Sequence, residues 1–536
     1  MAKKAKRTTK KKKKQVASKK GKRSGGKAGS SPPVEAPLEP NPSTVCVRMY
    51  RQGLGDCFLL AFPGSNGPTY MLIDCGVFMG TKNAAKRMTA VVENIKAATN
   101  GRVDVLVVTH EHWDHVSGFG QAKEIFKKIK VGQLWLAWTE DPANQLADVL
   151  RKERAMRLNA LKLAVGRLRL SRRVTAENTN KLLGFFGVDA LKATEAAALG
   201  AKGGGATGAA FDTAKSLTTR VKYCYPDKKA PEVPGVSGAR VFVLGPPEKR
   251  ELLLKSDPSK KDSEVYELAG GLGFEMGFLA ALPFAVDSGA RVRTEDRERF
   301  DRSHPFEERY RVKPGTAETI DKGFFATYYG VGESTKRNTE KWRRIDDDWL
   351  GYAGALALKL DSDTNNTSLA LAIELTPGGK VLLFPGDAQV GNWLSWHERS
   401  WRTDDGKRID IKDLLARTVF YKVGHHGSHN ATLREKGLEL MSDSELAAMI
   451  PVEKEMVDKK KWKMPFEPLH KRLEEKTRGR MIRADVEWPQ SKSAKPKGLS
   501  RAEWNAFKAN VRYDETNKKK PLYVDFTIST TPRGGN

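Results

Sequence analysis

Three observations predict an α/β fold. Short runs rich in Val, Leu, Phe and Tyr are bounded by Gly, Pro and Asn; stretches with apolar residues at helical spacing lie between them; and several strand-like runs end abruptly in His or Asp. The chain has 536 residues, a length that suits either about three domains or one large domain carrying insertions. The second arrangement is expected here, because strand-like segments recur on both sides of two compositionally distinct stretches.

Residues 1 to 42 are rich in Lys, Gly, Ser and Pro and close on "SPPVEAPLEPNPS". They bury too little apolar area to offset ordering entropy and are predicted to be a disordered arm. One domain is expected over 43–536. It opens with three β-rich runs, "TVCVRMY" (44–50), "DCFLLAFP" (56–63) and "TYMLIDCG" (69–76). A helical stretch over 83–99 then leads into the buried strand "VDVLVVT" (103–109). From about 142 to 220 the pattern turns to Leu, Ala and Arg at helical spacing, broken by "GAKGGGATGAA", which predicts a helical insertion. Its Arg-rich part, "RLNALKLAVGRLRLSRR", suits either a nucleic-acid channel or a helix with one packed and one solvated face. A strand returns at "ARVFVLGPP" (239–247), followed by a charged second insertion over about 250–360. Strands resume at "TSLALAIEL" (367–375) and "KVLLFPGD" (380–387). After a polar, helix-like stretch comes "RTVFYKVGHHGS" (417–428). Near the end stand the strand-like "LAAMIPV", the helical "PFEPLHKRLEEKT", and the strands "RMIRADV" and "PLYVDFTIS".

Histidine is scarce, nine in the whole chain, and six of the nine form two clusters, His110/His112/His115 and His425/His426/His429. The first cluster is H-x-H-x-D-H at the exit of a predicted buried strand. In an extended or tightly turned backbone, His110 and His112 converge on one cation while Asp114 and His115 turn toward a neighbouring one. Neutral imidazoles with a carboxylate suit Zn²⁺, with Mn²⁺ or Fe²⁺ as alternatives. Two such ions ~3.5–4 Å apart share a hydroxide and clamp the attacking and leaving oxygens. Asp387 follows an apolar run, where "PGD" alone would read as a turn. Of His425 and His426, one is expected as a ligand and the other as a hydrogen-bonding support; which is which stays open. His304, His397 and His470 stand alone and are read as incidental.

These motifs resemble the metallo-β-lactamase superfamily. "QGLGDCFLL" (52–60), "LIDCG" (72–76), the H-x-H-x-D-H run, "VLGPP" (243–247), "NNTSLALAIEL" (365–375), "LLFPGDA" (382–388) and "VFYKVGHHGS" (419–428) stand in the order of one branch. That branch is the metallo-β-lactamase-like domain of the DNA-uptake competence channel protein, with its stand-alone soluble relatives. The resemblance covers most of 44 to about 490, leaving the two insertions unmatched. It implies an αββα sandwich with the site along one sheet edge and two divalent metal ions, Zn or Mn. His110 and His112 would hold the first ion. Asp114 and His115 would hold the second, completed by His425 or His426, and Asp387 would bridge both. Asp74 would orient the histidine loop.

The chain departs from the superfamily pattern in one place that matters. Where typical members carry a third histidine for the first ion, about 20 to 25 residues before the bridging aspartate, this chain has "DSDTNNTS". Asn365 or Asn366 occupies that region, so the first site is expected to be weak, asymmetric or selective for a harder ion such as Mn²⁺. A second departure is "MPFEPL" (464–469), where the branch commonly places a histidine before the proline.

A hydroxide on such ions attacks esters, amides, thioesters and phosphodiesters alike, so the substrate must be read from elsewhere. The net charge is +29, and the first 34 residues hold 14 Lys and Arg with no acid, about half of that excess. The basic balance and the resembled branch favour a phosphodiesterase or nuclease with nucleic acid as partner. Asp114 is the expected catalytic residue, and Lys422 the expected phosphate contact. Hydrolysis of a small ester, lactone or nucleotide is the alternative, and a nucleic-acid-binding subunit with little catalysis a further one. Protein partners are not indicated. Cys46, Cys57, Cys75 and Cys224 lack metal-type spacing and read as reduced core thiols. No signal peptide is seen, and the apolar stretch 268–286 is interrupted by Glu275 and Pro283, so no membrane span and a cytoplasmic location are expected.

Overall fold

A computed structural model of the chain describes residues 37–171, 173–192, 205–226, 233–256, 312, 314–330, 353–402, 406, 408–490, 492–517 and 520–531. The predicted arm as far as residue 36, the stretch 268–286, His304 and most of the charged segment 250–360 lie outside the described residues.

The strands are β1 (Thr44–Tyr50), β2 (Phe58–Phe62), β3 (Thr69–Ile73), β4 (Arg102–Val108), β5 (Lys130–Ala137), β6 (Val221–Cys224), β7 (Arg240–Gly245), β8 (Ala370–Glu374), β9 (Val381–Phe384), β10 (Ser400–Arg402), β11 (Arg408–Asp410), β12 (Thr418–Lys422), β13 (Ala447–Ile450), β14 (Met481–Arg483), β15 (Val511–Tyr513) and β16 (Tyr523–Ser529). One sheet runs β15-β16-β1-β2-β3-β4-β5-β6, a second runs β14-β13-β12-β9-β8-β7, and β10 with β11 makes a small hairpin. Each large sheet is mixed. β3, β4, β5 and β6 are parallel, as are β9, β12, β13 and β14, whereas β1, β2 and β16 in one sheet and β7 and β8 in the other pair antiparallel.

Side-chain alternation explains why two sheets form layers. In β2, Phe58, Leu60 and Phe62 point into the space between the sheets, and Leu59 and Ala61 point to the helices outside. β4 divides the same way, with Val105 and Val107 inward and Leu106 and Val108 outward. From the other sheet, Leu371, Ile373, Leu382, Phe384 and Phe420 fill the facing half of that layer. Each such large side chain stabilises by roughly 1.5–3 kcal/mol on burial. Helix α1 (Ala84–Ala98) covers the outer face of the first sheet with Met88, Val91, Val92 and Ile95. This is the αββα sandwich that the motifs imply.

Helix α2 (Trp113–Gln121) follows β4 directly. Between β5 and β6 stand α3 (Gln145–Ser171), α4 (Arg173–Leu183) and α5 (Gly205–Ser216). Leu158, Leu161, Ala164 and Val165 of α3 share a core with Leu356 and Leu360 of α6 (Ala353–Asn365). Three of the α3 arginines turn into the protein: Arg151 donates to Thr139 O at 2.6 Å, Arg154 pairs with Glu111 and Glu140, and Arg157 donates to Asp363 at 2.9 Å.

The polar stretch after Asp387 is less helical than its composition suggests. It holds the seven-residue helix α7 (Val390–Trp396), the β10–β11 hairpin and a short helix over Ile411–Ala416. Trp393, Trp396 and Trp401 are buried there and pack with Phe242 and Tyr421. Apolar area rather than helical propensity fixes this segment. Among the described residues, no helix is long and apolar enough to cross a membrane.

Candidate metal centre

The site is built at the ends of parallel strands. β3 and β4 run side by side into Asp74 and Thr109, and β9 and β12 run side by side toward Asp387 and His425. Parallel strands deliver their following loops to one edge, which is why four short motifs meet. Glycines allow the closest approach. A Cβ on Gly76 would lie 2.3 Å from the backbone carbonyl of Asp114, and one on Gly55, at φ +148°, 2.7 Å from the same oxygen. That proximity lets Asp56 N donate to Asp114 O at 3.0 Å and Cys75 N to His115 O at 2.8 Å.

Asp74 takes a left-handed conformation, φ 56°, which Asp tolerates better than most residues. Its carboxylate accepts from Thr109 N (2.8 Å) and Thr109 Oγ1 (2.7 Å) and lies 2.8 Å from His115 Nδ1. It therefore fixes both the start of the histidine loop and the far side of the His115 ring. His115 Nε2 faces Asp387 Oδ2 at 3.1 Å, and His426 Nε2 faces Asp114 Oδ2 at 3.0 Å. His426 Nδ1 lies 2.7 Å from Pro451 O. One ligand atom each from Asp114, His115, Asp387 and His426 lies within 4.8 Å of the others. Beside this group, His110 Nε2 and His112 Nδ1 stand 3.0 Å apart. All seven predicted ligands, including His425, are at most 4% exposed.

The turn Gly424–Gly427 separates the two adjacent histidines. His425 (φ 43°) and His426 (φ 53°) are both left-handed, at a cost of roughly 1–2 kcal/mol each. The ring of His426 enters the Asp114 group. His425 donates its backbone N–H to Asp387 Oδ1 at 2.9 Å and turns its ring toward Phe185, 6.1 Å between centroids.

Lys422, the expected phosphate contact, is engaged inside the protein. It is 1% exposed, and its ammonium donates to Gly386 O (2.9 Å) and Asp387 Oδ1 (3.1 Å) and pairs closely with Asp56. With Lys422 and His425 N on Oδ1, Asp387 presents Oδ2 to the cluster. Asn366 accepts from Gln389 N and Asn392 N and donates to Lys255 O, so it ties down the start of α7. Asn365 donates to Asp361 Oδ2 at 3.3 Å. The sequence alone assigns no role to Asp56 or Asp361. Asp56 stands between glycine turns in "QGLGDC". Asp361 becomes visible once 353–365 is read as helix, where spacing of four places it on the face of Asn365.

The electrostatics split the histidines into two sets. Burial lowers His110 well below the ordinary imidazole value, His112 to about 3 and His425 to about 4. These rings are neutral, as metal ligands must be. For His115, burial pushes down but is outweighed by Asp387, Asp56, Asp74 and Asp114, and the ring stays protonated well above its usual range. His426 is raised too, against burial, by the hydrogen bond to Asp114 and by Asp387. Asp387 is held well below the usual carboxylate range, against burial, by Lys422 and His115.

The residues fit divalent cations. The group near Asp387 offers two carboxylates and two imidazoles, a donor set suited to Zn²⁺ or Mn²⁺. Buried atoms without a hydrogen-bond partner cluster around it: Asp114 Oδ1, His112 Nε2, both ring nitrogens of His425, Asp361 Oδ1 and Asn365 Oδ1. Each such group costs about 1–3 kcal/mol if left unsatisfied. Aromatic rings pack beside the cluster. Phe186 lies edge-on to His112 at 4.8 Å, and Phe185 stacks on Trp462 at 5.1 Å and packs against Phe78 at 4.7 Å.

Fold and site together define a two-sheet αββα protein with a buried His/Asp cluster at the sheet edge. Residues 50–146 match the model of the metallo-beta-lactamase superfamily, which supports that superfamily for this chain. No curated protein matches the chain. The match and the cluster point to a metal-dependent hydrolase.

Proposed function

We propose that the protein is a metal-dependent phosphodiesterase or nuclease acting on nucleic acid in the cytoplasm. The observation that carries the reading is the convergence of Asp114, His115, Asp387 and His426 within 4.8 Å. These four residues would hold divalent ions, which would supply a water of lowered pKa and offset charge on the group being cleaved. The protein's own residues do the rest. His115 and His426 are held by Asp74 and Pro451 O, so their inner nitrogens keep one direction. Asp114 Oδ1, buried and without a hydrogen-bond partner, is the oxygen that orients the attacking water or takes its proton.

A phosphodiester is favoured by the net charge of +29, which attracts polyanions in a salt-sensitive way. Resemblance to the metallo-β-lactamase-like domain of the DNA-uptake competence channel protein favours it as well. The aromatic rings of Phe78, Phe185, Phe186 and Trp462 beside the cluster favour a second reading, a small ester, lactone or nucleotide. A panel of single-stranded DNA, duplex DNA, RNA, bis-p-nitrophenyl phosphate and lactones, each with Zn²⁺ and with Mn²⁺, separates the two. Cleavage of polynucleotide and of the phosphodiester reporter is expected; turnover of lactones alone would contradict the proposal.

A further inference from the structure

We propose that Asp361 is a positioning residue of the first metal site, accepting the His112 Nε2–H once an ion is held by His110 and His112. The proposal rests on the metal-dependent reading above and adds a residue to it. His110 Nε2 and His112 Nδ1 converge at 3.0 Å. For both nitrogens to offer lone pairs to one ion, His112 must carry its proton on Nε2, because a neutral imidazole has one N–H. That nitrogen is buried and has no hydrogen-bond partner, and 3.9 Å away stands Asp361 Oδ1, also buried and without one.

The other rings of the cluster show what is missing. His110 Nδ1 lies 3.0 Å from Thr109 Oγ1 and 3.2 Å from Ser368 Oγ. His115 Nδ1 lies 2.8 Å from Asp74, and His426 Nδ1 lies 2.7 Å from Pro451 O. Among His110, His112, His115 and His426, the outer nitrogen of His112 alone is not held by a second element, an arrangement that fixes tautomer and ring direction at metal sites. Asp361 is placed to supply the fourth such contact. It sits on the last turns of α6, where Leu356 and Leu360 anchor the helix in the core. Asn365 Nδ2 engages Oδ2 at 3.3 Å and leaves Oδ1 toward His112. Closing the 3.9 Å gap to a hydrogen bond takes about 1 Å. In a site without a third histidine, this contact governs the affinity of the first ion.

The test is Zn²⁺ titration of the full chain against a chromophoric chelator, comparing wild type with Asp361→Ala and Asp361→Asn. Two binding events are expected in wild type. Asp361→Ala should weaken one of them by about 10–100-fold, the usual effect of removing such a partner, and leave the other unchanged. Asp361→Asn keeps an acceptor oxygen and should recover most of the loss. A second readout is the ¹⁵N spectrum, where a protected His112 Nε2–H resonance should appear on zinc loading in wild type and be absent in Asp361→Ala. Wild-type affinities for both ions in Asp361→Ala would overturn the proposal, as would an Asn variant no better than Ala, which would make Asp361 a direct ligand. A wild-type chain that binds no ion would instead overturn the metal-dependent reading itself.

Discussion

His426 Nε2 lies 3.0 Å from Asp114 Oδ2, although 312 positions separate the two residues. The contact joins the first turn of α2, which follows β4, to the turn after β12, and so joins the two sheets. With His115 facing Asp387 at 3.1 Å across 272 positions, it makes the cluster a product of the whole sandwich rather than of one motif. Changes anywhere in that frame should therefore be read out at the metal.

The double variant Asp114→Ala, Asp387→Ala removes both carboxylates of the cluster. Phosphodiester cleavage should be abolished, while salt-sensitive DNA binding, carried by surface Lys and Arg, should persist. Cleavage assays and filter binding over a salt series check both halves.

Protons and ions compete for the same imidazoles. His115 and His426 have raised pKa values in the metal-free chain, so an ion must displace their protons. Affinity for Zn²⁺ should rise with pH until the raised value of His115 is passed. The stability of the metal-free chain should run the opposite way. The pairing of protonated His115 with its carboxylates contributes fully below the unfolded value, about 6.5, and is lost as pH rises through the higher folded value. Thermal melts in chelator and in zinc, taken from mildly acid to mildly alkaline pH, should diverge as pH rises.

Lys422 is buried against Asp56 and Asp387. Lys422→Met leaves two buried carboxylates without their cation and should cost about 3–5 kcal/mol. Adding Asp56→Asn removes one of those charges and should restore part of the loss. Denaturant unfolding of the single and double variants measures it.

Gly76 leaves no room for a side chain, since a Cβ would lie 2.3 Å from the carbonyl of Asp114. Gly76→Ala should push the histidine loop outward, destabilise by roughly 1–3 kcal/mol, and lower metal content in the folded fraction. Elemental analysis of the purified variant reports the second effect.

Much of this site is legible in the sequence because its chemistry is concentrated in short runs that end strands. His110, His112, Asp114 and His115 are recognisable by residue type and spacing, Asp387 only through the resemblance, and the alternation in β2 and β4 marks the layers. What is not legible depends on turns and on distance. That the ring of His426, and not that of His425, joins Asp114, His115 and Asp387 depends on two left-handed residues in succession, which no spacing rule reveals. The buried pairing of Lys422 is not legible because its partner Asp56 lies in a loop far away in sequence. Asp361 is hidden because "DSDTNNTS" has turn-like composition, although 353–365 is helix held by Leu356 and Leu360 against its neighbours. β6 pairs with β5 across a long helical segment, and β10, β11 and β15 are three-residue strands, too short to carry an alternation signal.

The most direct measurement is anomalous diffraction at the zinc edge from crystals of the full chain equilibrated with Zn²⁺. The account predicts a peak about 2 Å from Asp114, His115 Nε2, Asp387 Oδ2 and His426 Nε2. Featureless density among those four side chains at saturating zinc would contradict it.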